Sequence, residues 1–135
     1  MKHWLLKTEP ETYSFQTLLK EKKTHWNGVR NFQARNNLRE MKLGDLALIY
    51  HSGKDKAVTG IARIAREGYS EIDSEDGSEW VQVEIEAVQP LAQPVTLATL
   101  KATKSLQSLP LIKQSRLSVM PISPSHYQEI LRLGK

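Results

Sequence analysis

The spacing of apolar and polar residues changes period several times along this chain, and each change marks an element. Residues 4–7, Trp-Leu-Leu-Lys, form a short apolar run closed by Thr8-Glu9-Pro10, which predicts a first strand that stops before the proline. Ser14 precedes Leu18, Leu19 and Lys20 and predicts the N-cap of a short helix. The capping box is incomplete, because Thr17 stands where Glu or Gln would close it. Over residues 31–41, Ala34, Leu38 and Met41 recur at i, i+4 and i+7 and predict a second helix with one apolar stripe. Asn31, Arg35 and Arg39 form a polar stripe beside it.

Beyond this helix the pattern shortens. Gly44-Asp45 is turn chemistry, and residues 46–51 follow as a mostly apolar strand. A further strand is predicted over 57–66, with Gly60 marking a bulge or a close backbone approach. Val81, Val83, Ile85 and Ala87 alternate with Gln82, Glu84 and Glu86, the signature of a half-buried strand with one wet face. The acidic stretch 73–78 between these strands reads as a hairpin loop. Residues 96–106 read either as a helix or as an irregular excursion, 117–122 as a last strand and 125–133 as a closing helix. With about five strands, three or four helices and no regular helical crossovers, the expected fold is α+β and mainly β: a small, mostly antiparallel β-barrel with peripheral helices. No repeat, low-complexity tract or Gly/Ser linker divides the chain, so residues 1–135 are expected to form one domain.

Composition narrows the classes. A chain of 135 residues buries a core without staples, and the absence of cysteine removes disulfides, thiolate zinc sites and a cysteine nucleophile. No apolar run reaches the ~18 residues of a membrane span, and Met-Lys-His-Trp leads into no apolar signal segment. The expectation is a soluble, cytoplasmic protein with no membrane partner. The net charge of +4 is modest, but it is distributed in blocks. Residues 20–43 are basic, 67–86 are acidic without a basic partner, and the chain turns basic again after Lys101. Two readings follow: a polarised surface for an anionic partner, nucleic acid first, or a mixed surface whose charges interleave once folded.

Catalytic and metal signatures are missing. His3, His25, His51 and His126 are never at a ligand spacing, and the seven glycines assemble neither a GxGxxG nor a Walker loop. His51 and Ser52 are strand neighbours that point to opposite faces, which argues against a triad with Asp45. No metal, no cofactor and no enzymatic activity are expected.

The run W-N-G-V-R-N-F-Q-A-R-N-N at 26–37 carries the chemistry that remains. Aromatic faces beside amide and guanidinium donors are the parts that hold a flat, hydrogen-bonding ligand such as a nucleobase. Tyr50-His51-Ser52-Gly53 closes an apolar strand with further polar side chains, at a strand end where barrels often place ligands. In one reading Trp26 stacks on a base, Asn31 and Ser52 read its edge, and Arg30 or Arg35 meets phosphate or a carbonyl. In the other, Trp26 is a core aromatic, Arg35 a helix salt-bridge partner and His51 a satisfied buried histidine.

At these residues the chain resembles the EVE domain family, small members of the PUA-like superfamily similar in fold to YTH and ASCH domains. The resemblance rests on W-L-L-K-T-E-P at 4–10, W-N-G-V-R-N-F-Q-A-R-N-N-L-R at 26–39 and G-D at 44–45. It continues through Y-H-S at 50–52, V-T-G-I-A at 58–62, W-V-Q-V at 80–83 and R-L-S-V-M-P-I at 116–122, nearly the whole chain in order. It implies a PUA-like barrel whose pocket takes a flipped-out, modified base of DNA or RNA, without catalysis. On matching positions it implies a pocket of Trp26, Val29, Asn31, His51 and Ser52, with Arg30, Arg35 and Arg116 near its entrance. Two departures stand out. The family's K-S-E-P is K-T-E-P here, which keeps the hydroxyl, and Gln82 replaces the Asp of W-x-D with a neutral amide. The alternative is a binder of free modified nucleosides or similar metabolites. No pattern sets the oligomeric state.

Overall fold

The computed structural model describes residues 1–71 and 80–135; the acidic stretch expected to be a hairpin loop lies outside the described residues. Among the described residues there are six strands: β1 (His3–Thr8), β2 (Lys23–Trp26), β3 (Leu46–His51), β4 (Ala57–Ser70), β5 (Val81–Thr96) and β6 (Val119–Ile122). The helices are α1 (Phe15–Glu21), α2 (Phe32–Glu40), α3 (Leu97–Ala102), α4 (Pro110–Lys113) and α5 (Pro124–Leu133), with one 3-10 turn at Lys104–Leu106.

The strands form one sheet in the order β2-β5-β4-β3-β1-β6, all antiparallel except the β1–β3 pair. Buried residues run consecutively through the middle strands, Trp4-Leu5-Leu6 in β1 and Ala47 to His51 in β3. Strands read this way when both faces of the sheet are covered. The fold is α+β as expected, but the barrel is not closed: no pairing joins β2 to β6 among the described residues. Each of those strands is four residues long, and α2 packs on β4, β5 and β6 across the ground between them.

Local chemistry explains most boundaries. Ser14 caps α1 by accepting from the Thr17 amide, and its hydroxyl also pairs with that of Thr17 at 3.0 Å, so the threonine serves where a capping box would use Glu. Asn31, Thr96 and Ser123 cap α2, α3 and α5 in the same way. Gly60 meets both expectations for it. The β4 register shifts between Val58 and Gly60, and a Cβ there would sit 2.3 Å from the Phe15 ring. Residues 96–106 resolve into α3 and the 3-10 turn.

β5 runs on to Thr96 through Pro90 and Pro94, well past the alternating stretch. β2 pairs with Val83 to Glu86 of β5, so among the described residues both prolines lie where β4 alone pairs as a strand. β2 has no sequence signature of its own. It is held by its partner, with Lys23 opposite Glu86, His25 opposite Glu84 and Trp26 opposite Val83.

Candidate nucleic-acid interface

Where the sheet fails to close there is a cleft of about 580 Å³. One wall is β2, with Thr24, His25 and Trp26, continued by Asn27, Gly28, Val29 and Arg30. The other is the end of β1, Lys7 and Thr8, with Thr12 and Tyr13 from the next loop and Ser118 just ahead of β6. β2 and the β1–β6 pair stand at opposite ends of the strand order, so the opening sits where a closed barrel would have paired them. The volume falls in the range of small-ligand sites.

Trp26 combines both readings of it. It is 9% exposed and part of the core, and it also lines the cleft. Tyr13 meets it edge-on, with ring centroids 6.3 Å apart at 85°, which fixes the indole plane. The Tyr13 hydroxyl donates to Glu21 at 2.6 Å, and burial together with that bond pushes the phenol pKa up. Gly28 adopts φ +76, the left-handed region that favours glycine, and turns the chain so that Val29 and Arg30 continue the wall.

The polar groups opposite come from β1. The Thr8 hydroxyl donates to the Tyr13 carbonyl at 2.9 Å, which uses its proton and leaves the oxygen as an acceptor. Lys7 Nζ donates to the Ser115 carbonyl at 2.6 Å, and burial lowers the pKa of its ammonium. On the β2 side, His25 Nδ1 lies 2.5 Å from the Tyr69 hydroxyl, whose ring has the Arg66 guanidinium 3.6 Å above it. The cleft therefore offers an aromatic wall, a hydroxyl and an ammonium, with the Arg30 guanidinium beside them held by Glu71.

Of the residues nominated by sequence, Trp26, Val29 and Arg30 meet at this cleft. Asn31 does not: its carbonyl oxygen accepts from the Ala34 amide as the α2 cap, and with Arg116 it lines a separate concavity of about 330 Å³. Ser52 donates to the Thr8 carbonyl at 3.3 Å and lines a third concavity, of about 470 Å³, shared with Glu9, Glu11 and Asp55. Three carboxylates there against the single Lys54 disfavour a polyanion. His51 is 2% exposed and accepts from the Phe15 amide at 3.0 Å through Nε2, which places the proton on Nδ1, 3.2 Å from Asp55. The Arg35 guanidinium lies 4.9 Å from the Phe32 ring centroid and donates to the Asn36 side chain.

Lys7, Thr8, Tyr13, His25 and Ser118 line the cleft without having been nominated. Lys7 and Thr8 lie in the K-T-E-P motif and Ser118 in R-L-S-V-M-P-I, but neither motif shows that the two meet. The charge blocks partly interleave, since Arg30 pairs with Glu71 at 2.9 Å and Lys23 stands opposite Glu86 across β2 and β5. Gln82 donates to the Ser70 carbonyl at 3.4 Å, a bond that an ionised Asp has no proton to make. Among the described residues no group of three His, Cys, Asp or Glu is placed to hold a metal, and no helix is long and apolar enough to cross a membrane.

The EVE domain model matches residues 2–133. The chain belongs to the EVE domain family. Human thymocyte nuclear protein 1 is 32% identical to this EVE chain over 97% of its length and 73% of the relative's. Among solved structures, an Agrobacterium tumefaciens protein superposes with a TM-score of 0.95 at 38% identity, covering 99% of this chain and 93% of that one. The human THYN1 protein in complex with 5-methylcytosine-containing DNA superposes with a TM-score of 0.92 at 31% identity, covering 100% and 98%. An ASCH protein from Zymomonas mobilis, at 16% identity and a TM-score of 0.63, shares the fold of the EVE chain alone.

Proposed function

We propose that this chain is a non-catalytic reader of DNA that carries a modified cytosine, taking the base into the Trp26 cleft. The observation that carries this reading is the aromatic-walled cleft, found in a chain whose human relative was crystallised with 5-methylcytosine-containing DNA. A base inside a duplex shows neither ring face, so it is turned out of the stack before it reaches such a site. Trp26, held by Tyr13, then supplies the stacking surface. Stacking tolerates any base, so discrimination falls to the polar groups, the Thr8 oxygen, the Lys7 ammonium and the Arg30 guanidinium, and to the fit around a methyl group. Phosphates flanking the cleft meet the basic side chains, with Arg35 and Arg116 outside the cleft itself.

Fluorescence anisotropy on three ligands tests the proposal: a duplex with one 5-methylcytosine, the unmodified duplex, and free 5-methyl-2′-deoxycytidine. The modified duplex is expected to bind tightest. Trp26→Ala should weaken it by about tenfold or more, the equivalent of one lost base stack. Because Trp26 is also core, its variant is compared below its own melting temperature, with Lys7→Met as a second variant that leaves the core alone. Free nucleoside binding as tight as the duplex would favour a small-molecule binder. Equal affinity for both duplexes would end the reader proposal.

A further inference from the structure

Phe32 opens α2 and presents an aromatic ring that is 61% exposed. Its plane is set from behind. Trp80, 7% exposed, stacks on it with centroids 5.2 Å apart and 19° between planes. The Arg35 guanidinium lies 4.9 Å from the Phe32 centroid and 5.9 Å from that of Trp80. A guanidinium on the far face of Phe32 would lie nearly twice as far from Trp80, so Arg35 flanks the pair. Among the described residues, no ring or cation is stacked on the outer face of Phe32. Arg30 joins this stack to the cleft: it lines the cleft, and its guanidinium lies 5.2 Å from the Trp80 centroid. The Asn31 cap fixes the start of the helix, so the ring is preorganised beside the opening.

We propose that Phe32, backed by Trp80, is a wedge that enters duplex DNA beside the cleft and stacks in the gap left by the extruded base. The proposal rests on the base-reading function above and adds how the gap is filled. Turning a base out of a duplex leaves its partner and neighbours unstacked, and an apolar ring inserted there offsets that loss. Phe32 has the face to do so, and Arg35 beside it brings a positive charge to the adjacent phosphates. Among the described residues, Arg35's hydrogen-bond partner is the neutral Asn36 amide and not a carboxylate.

The test compares wild type, Phe32→Ala and Phe32→Trp on a duplex with one 5-methylcytosine and on the modified strand alone. Phe32→Ala should weaken duplex binding about tenfold and leave single-strand binding within about twofold, while Phe32→Trp retains both. Phe32 is exposed, so an unchanged melting temperature is expected for either variant. Equal losses on duplex and single strand would make Phe32 a platform for a flanking base and overturn the wedge. No duplex loss for Phe32→Ala, with Trp26→Ala still defective, would overturn the wedge and leave the reader function standing. A wild-type chain indifferent to the modification would overturn both.

Discussion

His51 accepts a hydrogen bond from the Phe15 amide and donates one to Asp55, while its ring is 2% exposed. Those bonds tie β3 to the start of α1 and leave neither ring nitrogen for a ligand. Replacing it by leucine keeps the volume and strands a buried amide, which costs about 1–3 kcal/mol. Chemical denaturation of His51→Leu is expected to show that loss, and DNA titration below the melting range to show unchanged affinity; a selective loss of affinity would restore His51 to the site. Asp45 makes a second residue-level case. Burial alone would raise its carboxyl pKa, but bonds from the Trp4 indole at 2.9 Å and from the Lys42 and Lys2 amides outweigh it and hold the pKa low. A depressed folded-state pKa stabilises the fold above the unfolded value, and that share is lost as pH falls through the folded one. Stability should therefore drop below about pH 4, and the drop should shrink in Asp45→Asn. An identical acid profile in that variant would refute the assignment.

At the scale of elements, α1 is seated by one close contact. Phe15, 1% exposed, lies flat against Gly60, and the bulge in β4 makes the room. Gly60→Ala drives a methyl group into a ring with nowhere to move, and overpacking of this kind costs about 1–3 kcal/mol. The expected outcome is a lowered melting temperature, relieved by Phe15→Leu in the same chain; an unaffected single variant would mean that the ring shifts freely. Elements that carry their own signal were legible in sequence: α1, α2 and α5, the apolar β1 and β3, and the alternating start of β5. β2 was not, because Lys-Thr-His-Trp gains strand geometry only from pairing with β5. The same short strand brings Trp26 to the cleft.

On the scale of the molecule, binding by a chain of net charge +4 to DNA should be salt-dependent. The logarithm of the association constant is expected to fall linearly with that of salt concentration, and Arg35→Ala should reduce the slope by about one, as for one lost phosphate contact. A flat salt profile would count against a nucleic-acid partner; an unchanged slope in the variant would remove Arg35 from the contact.

Periodicity and capping determine which segments become strands and helices, because those preferences act over a few residues. The ordered motifs identify the family, and with it the α+β architecture. Which polar residues face a ligand is a different matter. Asn31, His51 and Ser52 share their chemistry with base-reading residues, yet each is drawn into hydrogen bonds away from the cleft and does not line it. Lys7 and Tyr13 near the start of the chain and Ser118 near its end meet Trp26 only because the sheet stays open between β2 and the β1–β6 edge. A backbone amide left without a partner inside the fold is costly, so a nearby polar side chain is drawn to it first. Only the tertiary structure shows which amides need such a partner, and so which polar groups remain for the cleft.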